Sequence, residues 1–401
     1  MRRRPGQVRA TLARPFWPFW PAAGIARHGA RMGRPILREY VMNRPPSLRI
    51  APDLAQLIDA GLIAPAEAAG LAKVAAGFRI RISPAMRRAM LAAPGGALAR
   101  QFLPDVAELR PDQDALADPI GDGAHAAAPG LTHRYADRAI LHVTRTCDVH
   151  CRFCFRREVV GRAGPLPEAD LVQALAYIAA TPAIREVILT GGDPLTLSPR
   201  RLADLAARIA AIGHVEVLRI HSRGPVVAPE RIDSALLAAL KVFPATWFVA
   251  HINHVDELGP EAQAALARLA AAGVPLLSQT VLLRGVNDSV EALESLFRAL
   301  LRNGVKPYYL HHADLVRGAG HFRTTIAEGQ AIMSGLRQRI GGIALPAYVI
   351  DIPGGFGKVP LTGEHLRPGA APGDYFIRDP AGREHPYRDP PLPLARPSIA
   401  P

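Results

Sequence analysis

The chain has 401 residues, 49% of them hydrophobic, and a formal net charge of +13; it is long enough for one large domain or a large domain with a smaller companion. It contains no run of the ~20 uninterrupted apolar residues that a membrane span needs. The charge does not mark a nucleic-acid binder, because residues 1–42 alone carry nine Arg against the single acid Glu39 and so supply +8 of the +13. The three cysteines all fall within residues 147–154. So odd and crowded a set is no disulfide framework; it suits a reducing cytosol and a metal or cluster site.

In chain order, residues 1–45 form a basic leader rich in Arg, Pro and Trp without a steady period. It reads as disordered, or as sequence preceding a true start at Met32 or Met42, with a transit peptide as the alternative. Residues 46–136 form an N-terminal helical region and a connection, with helical spacing in "LAQLIDAGL" and "AEAAGLAKVAAGF" and a polar stretch from 111 that ends in "PGLTHRYADR". From residue 137 to 345, β-rich runs (139–144, 185–190, 216–222, 246–252, 275–283, 306–312) alternate with amphipathic stretches (168–181, 199–212, 230–242, 260–273, 289–303, 327–341). That alternation predicts an α/β fold, a parallel sheet with helices outside it, and six such units predict a partial (β/α)6 barrel. Residues 346–378 begin with a further strand-like run, "PAYVID" (346–351), leading into "IPGGFGK". Residues 379–401 are a Pro-rich tail, expected to be extended.

The segment Cys147-Asp148-Val149-His150-Cys151-Arg152-Phe153-Cys154 directly follows the first β-run of the barrel, at a strand's C-terminal end, where barrel enzymes place their chemistry. Thiolates suit iron–sulfur clusters, and a cubane usually takes four cysteines. With only three in the chain, one iron must find another ligand and is open to substrate. The alternative is a zinc site completed by His142 or His150. Further on, "DIPGGFGK" places a lysine behind a glycine-rich turn in a chain with only four lysines. A flexible loop would explain it. A nucleotide P-loop needs Ser or Thr after the lysine, and Val359 stands there. A Schiff-base lysine is the third reading, since a lysine can deprotonate and an arginine does not.

The Cys-x3-Cys-x2-Cys spacing resembles the signature of radical S-adenosylmethionine (SAM) enzymes. That resemblance implies a [4Fe–4S] cluster on Cys147, Cys151 and Cys154, with the methionine amine and carboxylate of SAM on the open iron. It also implies Phe153 near the adenine, Gly191, Gly192 and Asp193 of "ILTGGDPL" near the methionine, and His221, Ser222 and Arg223 of "RIHSR" as further SAM contacts. From about 50 to 365 the chain resembles the lysine 2,3-aminomutase family, through "PGLTHRYADR", "CRFCFRR", "TGGDPL", "HINH", "LLRGVNDS", "PYYLHHADLVRGAGHFRT" and "IDIPGGFGK". This likeness implies pyridoxal 5'-phosphate (PLP) on Lys358 as a Schiff base, with Arg134, Tyr135 and Arg138 nearby. It implies Arg156 on the substrate carboxylate, and Asp288 with Asp351 on the ε-ammonium of lysine. Residue by residue, Asp288 could instead cap a helix beginning near 289, and Asp351 could sit in a turn.

The implied reaction moves the α-amino group of L-lysine to the β-carbon in the cytoplasm, with a flavodoxin- or ferredoxin-type reductant and a possible homo-oligomer. Some motifs look closer to a sister branch that isomerises lysine for attachment to elongation factor P, and a different amino acid substrate is a further alternative. A cluster protein without catalysis, acting in electron transfer or regulation, is the reading from another class; such a protein would not need Lys358 or Arg156.

Overall fold

The computed structural model describes residues 52–362, 365–371, 374–379 and 382–388. The leader (1–45) and most of the Pro-rich tail therefore lie outside the described residues. Ten strands form one sheet in sequence order: β1 (Ala126–Ala128), β2 (Leu131–Tyr135), β3 (Arg138–Thr144), β4 (Glu186–Gly191), β5 (Val217–Ser222), β6 (Thr246–His251), β7 (Leu276–Leu282), β8 (Lys306–His312), β9 (Ala347–Asp351) and β10 (Lys358–Pro360). Strands β3 to β9 are all parallel. Seven α-helices lie in the connections between β3 and β9: Glu168–Ala179, Pro199–Ala210, Gly224–Val227, Ser234–Leu240, Pro260–Ala271, Val290–Arg302 and Ile326–Arg339. β1 and β10 are the two outer strands of the strand order, so the sheet is an open, partial barrel, as the alternation predicts.

Three details differ from the sequence reading. The connection before residue 137 is not irregular throughout, because "AAAPGLTHRY" folds back as the antiparallel pair β1–β2 on one edge. Residues 346–360 do not stand apart from the barrel, since β9 and β10 continue the same sheet. At the end of the 346–378 region, Leu366–Pro368 and Asp374–Arg378 form a small antiparallel sheet that the extended beginning of the tail, Glu384–Arg388, completes.

The helices begin where side chains can cap them. Ser198, Asp233, Ser289 and Thr325 each accept a backbone N–H of the first turn. Ser289, not Asp288, caps the helix Val290–Arg302. Between helices and sheet lies an apolar core including Leu141, Leu189, Phe248, Leu266 and Leu296. Along β5 and β7 buried residues alternate with half-buried ones, and the half-buried positions include Arg219, His221 and Gln279. Central parallel strands are usually apolar on both faces. A polar inner face leaves this barrel suited to hold a ligand instead of a packed interior.

Before the barrel, the helices Pro52–Asp59 and Ala68–Gly77 share a small core of Leu54, Leu57, Leu71 and Val74. This region is tied to the barrel by charge. Glu108 accepts from Arg152 Nε (2.9 Å) and Nη2 (2.5 Å) and from Arg157 Nη2 (2.5 Å). The Glu108 and Arg152 side chains are 0% and 1% exposed. Breaking such a pair leaves a buried charge uncompensated, so Glu108→Gln should cost about 3–5 kcal/mol in denaturant unfolding. A loss within ~0.5 kcal/mol, the range of ordinary surface substitutions, would show that the knot does not hold the two regions together.

Candidate active site

The loop after β3 carries the three cysteines, all half-buried and free, in a stretch of turns without helix or strand. Burial pushes the Cys147 thiol well above its ordinary pKa, with Asp193 and the other two cysteines adding to the effect. Burial likewise pushes Cys154 up to about 11, helped by Cys151. The three sulfurs therefore sense one another, and forming thiolates here requires positive charge or metal. Arg223 supplies part of it: its Nη1 donates to Cys151 Sγ at 2.9 Å. Among the described residues, no three Cys, His, Asp or Glu side chains converge on one ion position. The His142 ring is hydrogen-bonded to Thr132 Oγ1 at 2.9 Å, and burial lowers its pKa to about 3.

The Gly191–Asp193 turn ends β4 against the cysteine loop. Gly191 has φ +114°, and a Cβ there would lie 2.4 Å from Thr144 O, while one on Gly192 would lie 2.2 Å from Thr146 O. The backbone is stitched across by Gly192 N to Thr144 O (2.6 Å) and Asp193 N to Thr146 O (2.8 Å). The close approach these glycines permit is thus to the cysteine loop. The Asp193 carboxylate accepts from Leu195 N (2.9 Å), Ser222 Oγ (2.7 Å) and Arg223 N (2.8 Å). His221 Nδ1 is bonded to Gln279 Oε1 (3.0 Å). Phe153 is buried in a small cluster with Leu283, Val316 and Phe322, 5.7 Å from the His251 ring. Asn253 and Asn287, each inside a family-like motif, brace the loops after β6 and β7. Asn253 Oδ1 accepts from Val281 N (2.8 Å), and Asn287 Nδ2 donates to Asn253 O (2.8 Å).

At the far edge of the sheet, Lys358 opens β10 opposite Asp351 on β9. Lys358 Nζ donates to Asp351 Oδ2 and lies 3.2 Å from His311 Nδ1; His311 Nδ1 is in turn 3.4 Å from Asp351. Burial would raise the Asp351 carboxyl, but the His311 hydrogen bond and the Lys358 charge hold it well below the usual range. The Lys358 backbone N donates to Tyr135 Oη at 2.8 Å, which joins β10 to β2 across the open side of the barrel. Arg138 stacks on the Tyr135 ring, 3.7 Å from its centroid. The glycine-rich turn sits against residues 118–125. Gly354 N donates to Pro119 O (3.3 Å), His125 Nε2 bonds Gly355 O (2.9 Å), and a Cβ on Gly121 would fall 2.7 Å from Gly354.

Asp122, in the same segment, bridges two expected ligand-binding arginines. It accepts from Arg156 Nε at 2.8 Å and faces Arg134 Nη2 at 3.4 Å. Burial opposes its charge, and Arg156 foremost restores it, so its carboxyl titrates below the ordinary value. Asp314, two residues beyond β8, is a carboxyl that the sequence reading passed over. Burial, then the charge of Asp351, pushes it up to about 7, with Lys358 and Arg156 pulling the other way. Asp314 thus lies within the electrostatic reach of Asp351 and Lys358. Asp288 is half-buried after β7, and no hydrogen bond or ion pair joins it to Asp351 among the described residues. In the sequence Asp314 sits in "HHADLVRG" without distinguishing spacing, so no local signal singles it out.

Three half-buried thiols beside an arginine fit a cluster. A lysine flanked by Asp351, His311 and Tyr135, with Arg134 Nε, His221 Nε2 and His311 Nε2 buried without hydrogen-bond partners, fits a polar, anionic cofactor in the barrel.

This fold and site define a class: residues 141–297 match the Radical SAM superfamily. The chain is 42% identical over 268 residues to the L-lysine 2,3-aminomutase of Fusobacterium nucleatum, covering 67% of this chain and 63% of that protein. It is 40% identical over 274 residues to that of Clostridium subterminale (68% and 66%), and 39% identical over 273 residues to that of Escherichia coli K12 (67% and 78%). The chain belongs to the lysine 2,3-aminomutase family. Its match spans just under two thirds of the Fusobacterium and Clostridium relatives. No described helix is long and apolar enough to cross a membrane.

Anaerobic iron loading should give about four irons per chain, and Cys151→Ala should abolish this while leaving the far-UV circular dichroism unchanged. Full iron retention in Cys151→Ala would remove that residue from the cluster set.

Proposed function

We propose that this protein shifts the α-amino group of L-lysine to the β-carbon, with a [4Fe–4S] cluster on Cys147, Cys151 and Cys154, SAM, and PLP at Lys358. The observation that carries the reading is the Lys358 ammonium held by Asp351 and His311 behind the glycine-rich turn, with the half-buried Asp314 near enough to feel the charges of Asp351 and Lys358. Cluster and SAM supply a radical that removes hydrogen from an unactivated carbon, and PLP supplies a carrier for the migrating nitrogen.

The chain's own residues bind, orient and neutralise. Arg156 takes the substrate carboxylate. Asp122 holds it through Nε, the nitrogen that a fork at Nη1 and Nη2 does not need. Arg134, beside Asp122, and Arg138, stacked on Tyr135, place positive charge for the PLP phosphate. Tyr135 fixes the Lys358 backbone, and so the reach of Nζ. Asp351 and His311 hold a proton at Nζ until the amine of the substrate takes its place. Asp351 and Asp314 then form the site for the ε-ammonium, which a buried position would otherwise reject. Asp288, half-buried after β7, is the further acid that the family resemblance assigns to this role beside Asp351. The backbone of Gly191 and Gly192, next to the cysteine loop, and the Phe153 ring are positioned for SAM, with His221 deeper in the barrel. Asp193, Ser222 and Arg223 shape that wall through their bonds to one another.

Asp314→Asn should lower kcat/KM for lysine at least about 30-fold, the ~2–5 kcal/mol typical of truncating one partner of a buried charge pair. An ammonium needs ionised carboxylates, so in the wild type KM for lysine should fall as pH rises through about 7, and Asp314→Asn should flatten that slope. For stability the sign is opposite. A carboxyl whose folded pKa is raised stabilises the protonated fold, so the substrate-free protein should lose stability as pH rises from about 4 towards 7. Wild-type turnover and pH response in Asp314→Asn would refute the lysine assignment. Borohydride reduction of the PLP-loaded protein should label the Lys358 peptide, and labelling elsewhere would refute the Schiff-base role.

A further inference from the structure

Arg223 lies in the motif "RIHSR" expected to touch SAM, yet the structure commits its guanidinium to the protein. Nη1 donates to Cys151 Sγ at 2.9 Å, and Nη2 donates to Gln101 Oε1 at 2.5 Å and Glu257 Oε2 at 2.8 Å. The group is 6% exposed and Glu257 is 0% exposed. It packs over two rings, with Cζ 4.6 Å from the Phe102 centroid and 5.5 Å from that of Phe153. Its backbone N is anchored on Asp193 (2.8 Å). Glu257 is itself tied down by Asn253 N (2.9 Å), His254 N (3.0 Å) and Gln101 Nε2 (3.1 Å). An arginine guanidinium does not deprotonate in proteins, so that of Arg223 carries its charge at any working pH. A permanent cation, held through both Nη nitrogens and out of water, with Nε left without a hydrogen-bond partner among the described residues, thus points one N–H at one of the three cysteine sulfurs.

We propose that Arg223 and Glu257 are a built-in pair that sets the reduction potential of the cluster, Arg223 raising it and Glu257 limiting the rise. This rests on the assignment of a [4Fe–4S] cluster to Cys147, Cys151 and Cys154. The step concerned is [4Fe–4S]2+ taking one electron from a low-potential external donor to give [4Fe–4S]+, with no proton moved and no bond broken. Reduction adds negative charge to the cluster. A hydrogen bond and a positive charge at a ligand sulfur stabilise the reduced form, since hydrogen bonds to the sulfurs and net charge set such potentials. In a buried setting that interaction is little screened. Glu257 offsets part of it because its carboxylate sits on the opposite end of the same guanidinium. Arg223 is on this view a positioning and tuning residue, not one that touches substrate.

The two partners should therefore act with opposite sign, which a merely structural role would not produce. The test is an anaerobic redox titration of the cluster-loaded protein without substrate, followed by electron paramagnetic resonance of the reduced cluster. Arg223→Gln should lower the midpoint potential, shifting the reduced-to-oxidised ratio at fixed poise by roughly tenfold, or ~59 mV for one electron. Glu257→Gln keeps an Oε1 acceptor for Asn253 N and His254 N and should raise the potential. Unchanged potentials in both variants, or shifts of the same sign, would overturn the inference while leaving the wild-type cluster standing. If Arg223→Gln does not take up iron, Glu257→Gln decides alone: a rise supports the pair, and no change or a fall overturns it. A wild-type protein without a cubane signal would overturn the cluster assignment and this inference with it.

Discussion

The loop that carries the cysteines has no helix or strand of its own, so buried charge must hold it. Glu108 grips Arg152, between Cys151 and Cys154, together with Arg157 beyond them. Glu257 and Gln101 grip Arg223, which reaches Cys151. Both knots draw on residues before the barrel, Glu108 and Gln101, so the N-terminal region is part of the site's scaffold. Each arginine has lost its water and keeps its place only while its carboxylate does. The cost of assembling such knots is met by the apolar core between sheet and helices, and their benefit is a loop that can present three sulfurs in one arrangement.

The same logic of paired charge governs the other side of the barrel. Lys358, Asp351 and His311 close on one another, Asp122 links Arg156 to Arg134, and Asp314 adds a carboxyl whose ionisation falls near neutrality. These groups come from the ends of β8 and β9, from β2 and β10, and from the segment 118–125. They meet because the open barrel is completed by the glycine turn 354–357 packing on that segment, and by Tyr135 bonding across the gap. Cationic and anionic groups are thus set at different places around one polar interior, the arrangement that the proposed binding of a charged amino acid and an anionic cofactor draws on.

Much of this was legible from the sequence. Each β-run from 139 to 312 became a strand within a residue or so of its predicted limits, because alternation of period 2 with Ala/Leu-rich helical stretches is a strong local signal. The cysteine spacing and the glycine turn before Lys358 stood out for the same reason. What sequence could not show depended on distance in space. The hairpin β1–β2 has Gly130 and a Pro between short, weakly apolar runs, and only pairing with β3 makes it sheet. Asp314 and Asp288 look alike in a sequence, each an acid shortly after a strand, and both are half-buried in the structure; the charges of Asp351 and Lys358 acting on Asp314 become visible only in space. The partners of Arg223, namely Glu257, Gln101 and Cys151, each lie more than thirty residues from it in sequence and could be seen only in space.

The central claim is that the cysteine loop and the Lys358 pocket act together on lysine. The direct measurement is anaerobic incubation of the iron- and PLP-loaded protein with L-lysine, SAM and dithionite, followed by analysis of the amino acids formed. The account predicts 3,6-diaminohexanoate, with no comparable product from L-glutamate. Formation of 5'-deoxyadenosine with lysine recovered unchanged would contradict it.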